Sequence, residues 1–293
     1  MRQDADPFDT LHAGLTVELI QTPRDDLVTC CPQEKAAEVL DRNLAGNGAQ
    51  GETYDYLPVE DRGEIVGLFR TRRGDENPPM EGQAVETLMD PLSPRNLIGS
   101  DGTILDFLRE VDERPYRLVV SGNGISGLVT WSDLQKLPVR TAVFGLITGF
   151  ELEMIRAIRR AYPSGDAWSE HLGSDAKERV DRLIQRSRKN DSEVDSLLYT
   201  TFRDKAKILL NIDGPGVWVG SRSRNMAQLR TINDFLRNPV AHARDYVAAR
   251  EDVERLQAMI QGLLSLRDQV ATWSPEEAAE AQTHRGRPRK VVE

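Results

Sequence analysis

The chain has 293 residues, 39% of them hydrophobic and 29% charged, which leaves room for two domains. No apolar run approaches the ~20 residues that span a bilayer, and the start, Met1-Arg2-Gln3-Asp4-Ala5-Asp6, has no apolar signal core, so a cytoplasmic protein without a membrane segment is expected. A net charge of −9 excludes polyanion binding by bulk field; the adjacent Cys30 and Cys31 are badly placed to pair, and four scattered histidines without Cys-x-x-Cys give no metal site.

Residues 1–11 read as a polar tail. From about 12 to 138 the texture is α/β: helix, strand, turn, strand, repeated twice. Pro32 to Leu40 reads as a helix with Pro32 in its first turn. Tyr56 to Phe69 reads as two strands around a turn. The second copy has a helix at Ile104–Glu110. Strands follow at Arg117–Val120 and Ile125–Val129, with Ser121-Gly122-Asn123-Gly124 turning between them. Nine residues back from Gly67 lies Pro58, and nine back from Gly127 lies Leu118. The strand–turn–strand unit thus recurs with equal length. The copies are expected at about 12–76 and 86–138, with the Gly-, Pro- and Glu-rich stretch 74–86 as the joint.

The sharpest motif of the second copy is Gly127-Leu128-Val129-Thr130-Trp131-Ser132-Asp133. This repeat resembles a tandem pair of CBS domains, whose pattern is Gly, two hydrophobic residues, Thr, two variable residues and Asp. The resemblance implies that Asp133 holds the ribose hydroxyls of an adenine nucleotide and Thr130 faces its phosphates. It also implies backbone contacts to the base around Ile98. A carboxylate can accept two hydroxyl hydrogen bonds. Thr130-x-x-Asp133 is equally a capping box, and the two roles are compatible. The first copy departs from the pattern, with Arg70 at the Thr position and Arg73 at the Asp position. These arginines either take phosphates of a ligand held by the other copy or bind nothing.

From 139 to 272 the chain reads as all-α. A long helix begins at Val143-Phe144-Gly145-Leu146-Ile147, and Pro163-Ser164-Gly165-Asp166 ends it. Glu151 on it is either a polar member of a site or a surface charge; Glu153 reads as a surface charge. Further helices are expected over 175–188, 193–210, 222–236, 239–248 and 250–272, joined partly by Asp213-Gly214-Pro215-Gly216. Met226, Leu229, Ile232, Phe235 and Leu236 have helical spacing. Asn238-Pro239 is a helix-start signal, Asn as cap and Pro at the first position. His242 then falls in the first turn of a new helix, where free amides favour a bound anion. Arg237 offers a planar, permanent charge for phosphate oxygens. Residues 201–250 hold more Arg and Lys than Asp and Glu, so a basic patch on an acidic protein is expected there.

The stretch Arg237-Asn238-Pro239-Val240-Ala241-His242 resembles the Arg-x4–6-His signature of HEPN domains. The resemblance implies a helical bundle, a homodimer and a metal-independent endoribonuclease. His242 would transfer protons, Arg237 would stabilise phosphoryl charge, and Asn238 would orient the loop or RNA. No cofactor would be required for catalysis; an adenine nucleotide would regulate. Family analogy suggests a toxin or phage-defence setting. The competing reading of the same residues is structural, with the helical part a dimerisation or partner-binding scaffold for a nucleotide sensor.

Residues 273–293 read as a disordered basic tail. Arg285-Gly286-Arg287-Pro288-Arg289-Lys290 resembles an AT-hook, which implies contact with DNA minor grooves. A third reading is therefore a DNA-associated regulator; a merely basic tail fits equally well.

Overall fold

The computed structural model describes residues 7–46, 53–71, 82–163, 165–189, 195–212, 221–242 and 244–275. The chain divides into two compact units, His12–Val139 and a second made of Arg140 onward together with the residues up to Leu11. Arg73, the loop 213–216 and the tail element 285–290 lie outside the described residues. Among the described residues no helix is long and apolar enough to cross a membrane.

The first unit is mixed α/β. Its strands are β1 (Thr22–Pro23), β2 (Tyr56–Asp61), β3 (Glu64–Arg70), β4 (Asp90–Pro91), β5 (Leu97–Gly99), β6 (Tyr116–Ser121) and β7 (Gly124–Thr130). They form two sheets, β1-β7-β6-β5 and β2-β3-β4. The chain's first helices are α1 (Pro7–Ala13), where a polar tail was expected, α2 (Ala36–Leu44), in place of the expected Pro32–Leu40, and α3 (Ile104–Glu110). Residues 32–35 stay out of α2 because Lys35 bridges to Ala84 instead.

Strand register shows a duplication. Up to the helix, counterparts lie 68 residues apart (Val17 and Val85, Thr22 and Asp90, Ala36 and Ile104); after it they lie 60 apart (Tyr56 and Tyr116, Glu64 and Gly124). A β-bulge falls after Val59 in one hairpin and after Val119 in the other, the same place in each. The bridge Cys30–Val59 reproduces the β5–β6 pair Ile98–Val119. Cys30 is buried at this bridge, and burial pushes its thiol pKa up to about 12; Cys31 is exposed.

Each copy lends its first strand to the other. Thr22 and Pro23 pair with Leu128 and Gly127. Asp90 and Pro91 pair with Leu68 and Gly67. The bridges Thr16–Thr103 and Lys35–Ala84 repeat the exchange. Two cores result, one around Leu57, Val59 and Phe69, the other around Leu68, Leu118 and Leu128.

The exchange explains why glycine stands at both crossing points. A Cβ on Gly127 would lie 2.5 Å from the Thr22 carbonyl oxygen, and one on Gly67 would lie 2.7 Å from that of Asp90. Both obstacles are backbone. Gly127→Ala is therefore expected to cost about 1–3 kcal/mol, as overpacking does. Gly124→Ala, with nothing within 4 Å of the new carbon, should stay within about 0.5 kcal/mol. Urea unfolding of the two variants separates a steric cause from a general intolerance of β7.

The second unit is helical. Its main elements are α4 (Leu137–Ala161), α5 (Ser174–Arg188), α6 (Phe202–Leu210), α7 (Arg222–Thr231), a π-helical segment (Ile232–Arg237), α8 (Asn238–Ala241) and α9 (Arg250–Thr272). On α9, Val253, Leu256, Ile260, Leu263, Leu266 and Val270 are buried, one face at helical spacing. Phe150 of α4 meets Phe202 of α6 at 6.0 Å between ring centroids.

Four helix expectations change. The long helix expected to begin at Val143 begins at Leu137. The helix expected from 193 begins at Phe202, because Thr201 and Asp204 form a capping box there. The helix expected over 239–248 ends at Ala241. The break expected at Asn238-Pro239 is absent: the helical path runs on from Arg222 to Ala241. Pro239 has no N–H and its ring crowds the preceding turn. The path widens there instead, and the Asn238 amide reaches back to the Asn233 carbonyl. Isolated π turns of this kind occur often at functional sites.

Candidate functional site

The duplication builds two related clefts in the first unit. One, of about 320 Å³, is lined by Thr22, Asp26, Tyr54, Tyr56, Thr130 and Asp133 among others. The other, of about 430 Å³, is lined by Arg70, Asp90, Arg95, Arg114, Tyr116 and Arg117 among others. Asp90 and Tyr116 are the counterparts of Thr22 and Tyr56. The rings of Tyr56 and Tyr116 lie 4.9 Å apart, so this pair forms the wall between the clefts.

In the first cleft the capping-box role of Thr130 and Asp133 is present. The Thr130 amide donates to Asp133 Oδ2 at 2.7 Å, and the Ser132 amide donates to Thr130 Oγ1 at 3.3 Å. Asp133 is buried, and Lys136 Nζ stands 2.7 Å from its Oδ1. Thr130 Oγ1 lies a further 3.4 Å from Oδ2. A carboxylate offers about four lone-pair sites, so roughly one remains. Asp133 can therefore take a further hydroxyl while keeping all three contacts.

The four expected ligand residues do not share one cleft. Thr130 and Asp133 line the first, Arg70 lines the second, and Ile98 lines neither. Ile98 is spent on the sheet, paired with Val119 in β5–β6. Arg70 donates from Nε to Asp90 Oδ2 at 2.8 Å, and its guanidinium stands 5.5 Å from the Tyr116 ring centre. The Tyr116 hydroxyl donates to the same Asp90 oxygen at 2.7 Å. Burial, with Asp90 beside it, pushes the Tyr116 pKa up.

In the helical unit, Arg237 ends the π segment. Its Nε donates to Glu151 Oε1 at 3.2 Å, and the side chain remains 36% exposed. Glu151 is thus a member of this cluster. Its other oxygen accepts from Lys205 Nζ at 3.3 Å, and Lys205 also donates to the Thr200 carbonyl at 2.6 Å. Lys205 is only 3% exposed, and burial lowers its pKa. Sequence reasoning missed Lys205; its signal was a place on the buried face of α6 with Phe202, Ala206 and Leu209. Glu153, expected at the surface, is buried and paired with Arg156.

His242 lies elsewhere than expected. It caps the C-terminal end of α8, exposed, with its amide donating to the Asn238 carbonyl at 3.1 Å. Asn238 has helical dihedrals and is no N-cap. The free amides expected to receive an anion at His242 are therefore not there. At 3.6 residues per turn, Arg237 and His242 stand about 140° apart around the helix. Arg237 has Glu151 as its partner, while the His242 side chain makes no hydrogen bond among the described residues. No group of three or more His, Cys, Asp and Glu side chains among the described residues is placed to hold a metal ion.

No protein-family model and no curated protein sequence matches the chain. Similar solved structures include the CBS domain of a bacterial CNNM/CorC family Mg2+ transporter in complex with ATP, at 19% identity over 45% of this chain and 92% of that one, with a TM-score of 0.35. They also include the CBS-pair protein CBSX2 from Arabidopsis thaliana, at 21% identity over 44% and 94%, TM-score 0.34, a protein also solved in complex with AMP. CBS domains of a transcriptional regulator from Streptococcus pneumoniae match at 20% identity over 42% and 98%, TM-score 0.33. Nothing in these likenesses bears on a ribonuclease domain. Likeness at these scores carries no weight beside the strand registers, on which the duplication of residues 12–139 stands.

Proposed function

We propose that residues 12–139 act as a CBS-type pair that senses an adenine nucleotide in the Thr130–Asp133 cleft. The observation that carries this reading is the placement of Asp133. The motif resembling the CBS pattern folds so that its carboxylate lines a cleft with one acceptor position left. Tyr54 and Tyr56 supply aromatic surface in the same cleft, suited to a base. ATP and AMP are the ligands to test. Calorimetric titration of the whole chain should show binding that weakens about tenfold or more in Asp133→Asn, which keeps the shape and loses the charge. Circular dichroism checks that the capping box survives. Equal affinity in the variant would sink the reading.

A second reading keeps the helical unit as a metal-independent, HEPN-type endoribonuclease with Arg237 and His242 as its functional pair. The observation that favours it is the Arg237 cluster. A partly exposed guanidinium is held by Glu151 over a buried lysine at the end of a π turn. His242, reached from the same helical path, is free to approach RNA. His242 stands away from Arg237 around that path, so this reading needs a site completed by a second copy of the chain. A homodimer is the form this reading requires, and light scattering during size-exclusion chromatography tests it. Cleavage of RNA in EDTA by wild type and His242→Ala decides between catalyst and scaffold.

A further inference from the structure

A groove in the helical unit has no role in the readings above. It runs beside α4 with a volume of about 330 Å³, and its lining includes Phe8 and Leu11 of α1 and Phe144, Thr148 and Leu152 of α4. Leu11, Phe144 and Leu152 are exposed, although each is a large apolar side chain. Phe144, Thr148 and Leu152 recur every fourth residue, which makes one row along the helix. The core-facing side of α4 is a different one, with Val143, Leu146, Ile147, Phe150 and Met154 buried. Exposed apolar side chains gathered at a groove, rather than scattered singly, mark a binding surface.

The groove is long and narrow. Its lining on α4 extends from Phe144 to Arg156, about 18 Å at the rise of an α-helix. A volume of about 330 Å³ spread over that length suits an extended chain rather than a ring system. Glycine shapes one wall. A Cβ on Gly149 would lie 2.7 Å from Phe8 Cδ2, so the missing side chain is what lets the Phe8 ring lie against α4.

Charge enters the lining away from Phe144. Arg156 stands one helical turn past Leu152, and Arg267 of α9 places its guanidinium 3.9 Å from the Phe8 ring centre. The Arg160 bond to the Val270 carbonyl, at 2.6 Å, ties α9 to α4 one turn beyond Arg156. The Arg267 side chain is 12% exposed, with Asp268 3.9 Å away at the surface. Glu153 is the carboxylate of the lining, and it is buried and bound to Arg156. Two guanidinium groups thus meet one carboxylate in a lining whose other end is walled by Phe144. That polarity suits an apolar chain with an anionic head.

We propose that this groove binds a free medium-chain fatty acid, its hydrocarbon along Phe144 and Leu152 and its carboxylate toward Arg156 and Arg267. This binding is independent of both readings above. Isothermal titration of the full chain with sodium decanoate tests it, beside decanol and the Phe144→Ser/Leu152→Ser double variant. Both side chains are exposed, so the double variant should fold; circular dichroism checks this. Decanoate is expected to bind wild type at one site per chain, and to lose about tenfold or more in the double variant. Decanol, the same chain without the charge, should bind wild type about tenfold more weakly than decanoate. No saturable binding of decanoate to wild type, equal binding to the double variant, or decanol binding as tightly as decanoate overturns the proposal. Light scattering tests the other occupant. A wild-type dimer that decanoate leaves intact and the double variant dissolves would give the groove to a second copy of the chain, and overturns the proposal as well.

Discussion

Glu151→Gln is expected to destabilise the chain by about 3 kcal/mol at neutral pH, because it leaves a buried lysine without its counter-charge. Lys205 is 3% exposed, and among the described residues Glu151 is the carboxylate within salt-bridge distance of it. Arg237 loses its partner too, but it is more than a third exposed, so water replaces most of that interaction. The pH dependence follows from Lys205. Burial lowers its folded-state pKa below the ordinary lysine value. The unfolded chain therefore binds more protons in the window between the two values, and stability rises with pH across it. The charge of Glu151 acts against the lowering. Removing it drops the folded-state pKa further and widens the window downward. The gap between wild type and Glu151→Gln should accordingly narrow from neutral to alkaline pH, as the variant sheds the lysine proton before the wild type does. Lys205→Met, which removes the buried charge, should be near neutral or stabilising in the Glu151→Gln background. Urea midpoints at neutral and alkaline pH measure all of this. A gap that does not change with pH would show that Lys205 is not the buried charge at issue.

The repeat was legible because its signals are local. Alternating apolar residues, the turn at Gly122 and glycine at equal places in both hairpins mark each copy within a short window. The strand exchange was not legible. It rests on two-residue strands, Thr22–Pro23 and Asp90–Pro91, too short for any periodicity, pairing with partners far along the chain. For that reason one of the two expectations for Arg70, that it takes phosphates of a ligand held beside Thr130, joined residues that line separate clefts. The same limit hid the arginines of the second cleft, since Arg95 and Arg114 become neighbours only through the fold. Asn238-Pro239 misled for a different reason. Proline at the start of a helix and proline relieved by a widened turn present the same dipeptide, and only hydrogen-bond register separates them. That one register change moves His242 from the mouth of a helix to its far end.

His242→Ala provides the sharpest test of catalysis. The side chain is exposed and makes no hydrogen bond among the described residues, so its loss should leave stability within about 0.5 kcal/mol. If this imidazole moves the proton in transesterification by the ribose 2′-hydroxyl, RNA cleavage in EDTA should fall by about 10²–10⁴. Arg237→Ala should lower the rate by about 10²–10³, the range for losing one donor to a developing anionic charge. Glu151→Gln adds a discriminating arm. It leaves the guanidinium in place and removes only the contact that orients it, so its effect on rate should be smaller than that of Arg237→Ala, while its effect on stability should be larger. A merely structural cluster predicts another order, with stability following Glu151 and Lys205 and no rate responding to His242. Equal cleavage by wild type and His242→Ala, or none by either across varied RNA substrates, would leave Arg237 as the outer edge of a buried ion network. The helical unit would then serve as a scaffold beside a ligand-binding pair.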